Sequence, residues 1–125
     1  MPQYMLLIYA ATPSPEQLAE EHPKWGAFTQ ELQDAGVFVN GDALQGTDVA
    51  TTVRGVDGEV QLTDGPFAET REHLGGYYTI DVPSLDKALE YAGRMPHIHR
   101  GATEVRPIWD TTQPMEDARQ VETSA

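Results

Sequence analysis

The sequence predicts an α+β fold, a ferredoxin-like βαββαβ sandwich carrying one inserted β-hairpin. Three observations predict it. Four short apolar runs, at 4–9, 37–44, 75–82 and 103–109, read as strands, and helical patterns follow the first and the third. Between the second and third runs, Val56-Asp57-Gly58-Glu59 is a hairpin turn. The length, 125 residues, gives room for one ordinary domain and no second core.

Each element has its own warrant. In the first strand Tyr4, Leu6 and Ile8 point one way, and Met5, Leu7 and Tyr9 the other. Both faces are apolar, so both need covering. Helices on one face leave the other bare, and the simplest cover for it is a second copy of the chain. Ser14-Pro15-Glu16-Gln17 starts a helix: Ser14 caps it, Pro15 suits the first helical position and Gln17 completes a capping box. Leu18, His22, Trp25, Phe28, Thr29 and Leu32 continue it at helical spacing. Pro23 is expected to kink or restart this helix, and Gly36 to stop it. Residues 51–62 form the hairpin. Residues 63–72 give a tight turn and one helical turn, with Phe67 plugging the core. In the strand at 75–82, Tyr78, Ile80 and Val82 share one face and Tyr77 and Thr79 the other, while Gly75 and Gly76 signal a bulge or a close backbone approach. Ser84 caps a second helix, with Leu85, Ala88, Leu89 and Ala92 inward, that ends near Gly93. The domain spans 1–110, and the polar residues 111–125 form a C-terminal arm.

Composition narrows the function. The net charge of −12, from 8 Lys+Arg against 20 Asp+Glu, argues against direct nucleic-acid binding. With no cysteine there is no disulfide, thiolate metal site or cysteine nucleophile, which fits a reducing compartment. The apolar run at 5–11 follows no basic residue and falls far short of the roughly 20 residues that span a bilayer. A cytoplasmic protein without a membrane segment is therefore expected. No phosphate loop, dinucleotide fingerprint or serine-nucleophile elbow is present.

The segment Asp64-Gly65-Pro66-Phe67-Ala68-Glu69-Thr70-Arg71-Glu72 resembles the signature of the YciI-related (YCII) family of the DGPF-domain type. Tyr4-Met5-Leu6-Leu7-Ile8-Tyr9, Ala35-Gly36-Val37, Gly41-Asp42-Ala43-Leu44, Leu74-Gly75-Gly76-Tyr77-Tyr78 and Glu104-Val105-Arg106-Pro107-Ile108 extend the likeness over about residues 3–109. The resemblance implies a dimeric α+β barrel in a bacterial protein, and many such proteins are encoded beside extracytoplasmic-function sigma factors. The wider superfamily includes muconolactone isomerase-like and dehydrochlorinase-like enzymes, which transfer protons without a redox cofactor, so no cofactor is expected. The YciI proteins proper carry a His–Asp pair associated with the first helix. Aligned back from Gly36, the histidine's place is taken by Trp25, with Asp34 near the aspartate's place and His22 almost one turn earlier. The pair is not carried over to this chain.

Residue chemistry supplies the candidates. Asp64 is either a turn residue or a proton-moving carboxylate at the barrel mouth. Arg71 is either a solvated charge or an anion-binding group. Glu104 and Arg106 share one strand face with Ile108, which suits either an ion pair or charges inside a partly dry cavity. Arg54 in the hairpin is a third basic contributor. His73 follows the signature and is the best general-base candidate, since a histidine's ordinary pKa of about 6.5 suits proton transfer near neutrality. His22 reads as a boundary residue. His97 and His99 form an H-x-H pair without a clear third ligand, and a loop accounts for them better than a metal site. Tyr9, Tyr77 and Tyr78 line the space between sheets as interface, core or hydrogen-bond donors.

Two functions stay open, beside a purely structural domain whose pocket is vestigial. The first is a cofactor-independent lyase or isomerase acting on a small anionic organic molecule, with His73 or Asp64 moving the proton and Arg71, Arg106, Arg54 and Tyr77 holding the substrate. The second is a non-catalytic ligand-binding or regulatory module linked to a sigma factor.

Overall fold

A computed structural model describes residues 2–112 of the chain, so the C-terminal arm expected at 111–125 lies almost wholly outside the described residues. The elements in order are β1 (Gln3–Ala10), α1 (Pro15–Asp34), β2 (Phe38–Ala43), β3 (Thr51–Val56), β4 (Glu59–Asp64), β5 (His73–Asp81), α2 (Leu85–Gly93) and β6 (Gly101–Pro107). Short 3-10 turns cover Thr47–Val49 and Ile98–Arg100. Strands β2-β5-β1-β6 form one antiparallel sheet, and β3 and β4 pair only with each other. This is the predicted α+β order of ferredoxin-like type, with strand ends shifted by a residue or two.

The local signals act as the sequence predicts. Ser14 accepts from the Gln17 backbone N–H at 3.1 Å and Gln17 accepts from the Ser14 N–H at 2.9 Å, a complete capping box. Gly36 takes φ 73° after the helix. Asp57 and Gly58, at φ 52° and 81°, make the hairpin turn whose twist suits the flanking strands. Opposite Gly75, the β1–β5 register slips between Ile8 and Tyr9. Gly76 lies so close to β2 that a Cβ there would sit 2.7 Å from the Asp42 carbonyl oxygen. Gly76→Ala should therefore force the sheet apart and cost about 2 kcal/mol. A urea midpoint unchanged by that substitution would contradict the close approach.

The core lies between the helices and one sheet face. Leu6, Leu32, Ile80 and Val82 are fully buried, joined by Tyr4, Phe28, Ala88, Tyr91, Ala92 and Met95. By register, Met5, Leu7, Tyr9, Tyr77, Thr79, Glu104 and Arg106 occupy the opposite face, which no helix covers.

Several expectations are corrected. Pro23 does not restart α1, which runs unbroken for 20 residues; the proline is exposed, so the carbonyl it leaves unpaired can be solvated. Leu18 is 56% exposed, and Leu85 and Leu89, at 37% and 49%, sit at the margin of the core rather than inside it, while Glu21 and Tyr91 turn inward. Residues 65–72 form no helical turn. Phe67 does not plug the core: it is 76% exposed, with the Arg54 guanidinium 4.9 Å from its ring centroid. Tyr78 belongs to the core rather than the bare face, packed on Trp25, Phe28 and Phe38 with its hydroxyl on Thr29.

Candidate functional site

The predicted site residues fall into three separate places. Tyr77 and Arg106 share the bare sheet face. At one level across that face stand Asp42, Tyr77, Leu7 and Glu104, and at the next Asn40, Thr79, Met5 and Arg106. The apolar β1 residues thus form a central strip with polar flanks. On one flank the Tyr77 hydroxyl donates to Asp42 Oδ2 at 2.8 Å, and this carboxylate holds the phenol above its ordinary pKa. On the other, Arg106 Nε donates to Glu104 at 2.6 Å, an exposed ion pair within one strand. Exposed pairs of this kind contribute little to stability.

His73 does not join that face. Its register partner is Ala10, which puts it on the helix side at the end of the sheet, half-buried, with Nε2 3.5 Å from Thr12 Oγ1. Asp64 is the exposed last residue of β4, and Arg71 is exposed in the loop that follows. Arg54 and Asp64 lie on opposite faces of the hairpin, since Arg54 pairs with Gln61 and Asp64 with Thr51. The structure therefore brings Tyr77 and Arg106 to one surface, and sets Arg54 apart from Asp64.

A shallow groove of about 330 Å³ runs along the hairpin, lined by Thr52, Arg54, Val56, Gln61, Thr63, Pro66 and Phe67. The signature segment builds its wall. Gly65 takes φ 104°, a conformation that side-chain-bearing residues avoid, and so turns the chain back over the strands. Gly65 N–H donates to the Ala50 carbonyl at 2.8 Å, and Thr52 Oγ1 donates to the Gly65 carbonyl at 2.8 Å.

A fourth cluster, unpredicted, fills the helix side. Arg100 grips Glu21 with two bonds of 2.5 and 2.8 Å and donates to the Ala11 carbonyl at 3.2 Å. That guanidinium holds the Glu21 carboxyl below its usual range. Trp25 stacks on the fully buried His97, centroids 5.6 Å apart. His97 Nε2–H donates to the Ala102 carbonyl at 3.0 Å, and Nδ1 is buried without a hydrogen-bond partner. Burial pushes the His97 pKa down. His99 points outward, so the H-x-H pair is split, and no group of three or more metal-ligating side chains occurs among the described residues. Neither Glu21 nor His97 was signalled as interior by sequence; Asp42, too, was recognisable only once β2 and β5 were in register.

The fold and its sheet define a ferredoxin-like α+β protein, and comparison makes the assignment narrower. The chain belongs to the YCII-related family, whose domain matches residues 2–112. It is 47% identical over 84 residues, 66% of this chain and 68% of the relative, to an uncharacterised protein of Rhizobium meliloti (strain 1021). Among solved structures it is similar to 5-chloro-2-hydroxyhydroquinone dehydrochlorinase from Burkholderia phenoliruptrix AC1100, in complex with 2,5-dihydroxybenzoquinone. That match has a TM-score of 0.55 at 14% identity and covers 86% of this chain and 93% of the other. At that identity the likeness is one of fold. No helix among the described residues is long and apolar enough to cross a membrane.

Proposed function

We propose that two copies of the chain pair through the bare sheet face and that the space between them takes a small anionic organic molecule, on which the protein acts as a cofactor-independent lyase or isomerase in the bacterial cytoplasm. One observation carries this reading: the Met5, Leu7 and Tyr9 strip lies between Tyr77–Asp42 on one flank and Glu104–Arg106 on the other. Apolar middle and polar flanks suit an interface that also encloses a pocket. A twofold arrangement can set the Asp42 edge of one copy against the Arg106 edge of its partner. Arg106 then orients negative charge and Tyr77 donates a hydrogen bond. His73, turned to the helix side beside Thr12, and Asp64, exposed on the hairpin, both stand off this face, so the groups on the face itself that can exchange a proton are Asp42, Tyr77 and Glu104. The dehydrochlorinase of like fold, with its small quinone ligand, supports the lyase class.

Sedimentation and a thermal-shift screen test this together. Wild type should sediment as a dimer at micromolar concentration and Leu7→Asp as a monomer. In a panel of small carboxylates, phenols and 2,5-dihydroxybenzoquinone, at least one compound should raise the Tm of wild type but not of Arg106→Ala. A monomeric wild type, or a panel that never separates the two proteins, overturns the reading.

A second reading is favoured by one surface. Val53, Val60 and Leu62 share the hairpin face opposite the groove and are 64%, 73% and 70% exposed. Such a stripe suits docking of a protein such as a sigma factor, with the chain as a non-catalytic regulator. In that case the screen finds no ligand and Leu62→Asp abolishes the complex.

A further inference from the structure

We infer that the hairpin groove is a binding site for small monocarboxylates, with Arg54 as its anion receptor and Phe67 as its aromatic wall. The charge pattern singles Arg54 out. Seven Lys and Arg residues lie in the described region, and five of them, Lys24, Lys87, Arg94, Arg100 and Arg106, are paired with glutamates. Only Arg54 and Arg71 lack an acidic partner among the described residues, in a chain where acids outnumber bases 20 to 8. Arg71 is exposed on the loop, whereas Arg54 is held by its guanidinium against the Phe67 ring at 4.9 Å.

The cation lies over the ring, and its N–H donors make no hydrogen bond or ion pair among the described residues. An edge with two parallel N–H groups matches a carboxylate. Gln61 lies directly across the ladder from Arg54, and Thr63 across from Thr52, so an amide and a hydroxyl flank the cation on the same face. Val56, Pro66 and Phe67 supply apolar wall. The volume of about 330 Å³ lies at the small end of ligand pockets. Glu59, across from Val56, is the one acid of the two strands on this face and lies outside the groove lining; one cation beside neutral donors suits a monoanion, and a flat or short aliphatic body suits the ring and the proline. The architecture also accounts for the exposed Phe67: the Gly65 reversal, tied by its N–H to the Ala50 carbonyl and by its carbonyl to the Thr52 hydroxyl, presents the ring to the groove instead of the core.

The groove is complete within one chain, so this inference does not depend on pairing of copies through the sheet. The test uses 4-fluorobenzoate with the full chain, followed by fluorine NMR. Wild type should give a saturable shift, Arg54→Ala should weaken binding about tenfold or more, and Arg54→Lys should fall between them because it keeps the charge but not the fork. Phe67→Ala should weaken binding as well. Lys24→Ala, which removes an exposed cation of α1, should bind as wild type does. Equal binding by Arg54→Ala and wild type overturns the inference, as does equal affinity for uncharged 4-fluorobenzamide or displacement by inorganic phosphate at lower concentration than by benzoate. Loss in Arg106→Ala with Arg54→Ala intact also overturns it, and assigns the ligand to the sheet face. Arg54 is exposed on the hairpin and Phe67 on the loop that follows it, so their substitution leaves the core untouched.

Discussion

Arg100→Ala should destabilise the fold by about 3 kcal/mol, the scale expected when one member of a buried ion pair is removed. The side chains of Glu21 and Arg100 are 6% and 17% exposed, and beyond Arg100 the carboxylate has only His99 Nε2, at 3.9 Å, as an ion-pair partner among the described residues. The variant leaves a carboxylate in the interior and strips the Ala11 carbonyl of a donor. Adding Glu21→Gln to Arg100→Ala should restore part of the loss, because an amide needs no counter-charge. Urea unfolding of the three proteins checks this. If the double variant is no more stable than Arg100→Ala, the loss does not come from an abandoned buried charge.

Acid should weaken the protein in two stages. His97 has a folded pKa below its ordinary 6.5, because burial disfavours the imidazolium. As pH falls below about 6.5 the unfolded chain takes up a proton that folded His97 refuses. The unfolded state then binds more protons, and stability declines by at most about 1.4 kcal/mol per pH unit until the folded pKa is reached. Above 6.5 neither state is protonated and the contribution vanishes. Glu21 acts later, since its pKa is lowered by Arg100: its stabilisation is present above about 4.5 and disappears as pH falls through the folded value. His97→Phe keeps a ring beside Trp25 and should flatten the first stage while leaving the second. Unfolding free energies at about pH 7.5, 6.5 and 5.5 compare the two proteins, and equal slopes between them would exclude His97 as the cause.

Much of the architecture was legible because its causes are local. Ser14 and Gln17 cap each other across three residues, Asp57-Gly58 sets its own turn, and the strand alternation of β1 and β5 names their faces. What escaped depends on distant partners. Glu21 looks like any solvated helix acid until Arg100, 79 residues on, closes over it. His97 is indistinguishable from His99 by pattern, yet the 3-10 turn sends one inward and the other out. Phe67 misled because hydrophobicity alone suggests a core; Gly65 reverses the backbone so that the ring meets Arg54 instead. Of the site candidates, alternation set Tyr77 apart from Tyr78 and put Glu104 beside Arg106, but which strand faces share a surface emerges only from the register, and no local rule could reveal that the bulge at Gly75 moves His73 to the other side.

The excursion that carries β3 and β4 leaves and rejoins the sheet at one point. Ala43 pairs with Gly76, and the Leu44 N–H donates to the Gly75 carbonyl at 2.8 Å, so the two stems of the excursion touch. Topologically the hairpin is an appendage plugged into a scaffold that closes without it. Such an arrangement lets recognition surfaces be lengthened, shortened or exchanged while the packed layers beneath keep their folding instructions, because joining two adjacent stems demands little chain entropy whatever hangs between them.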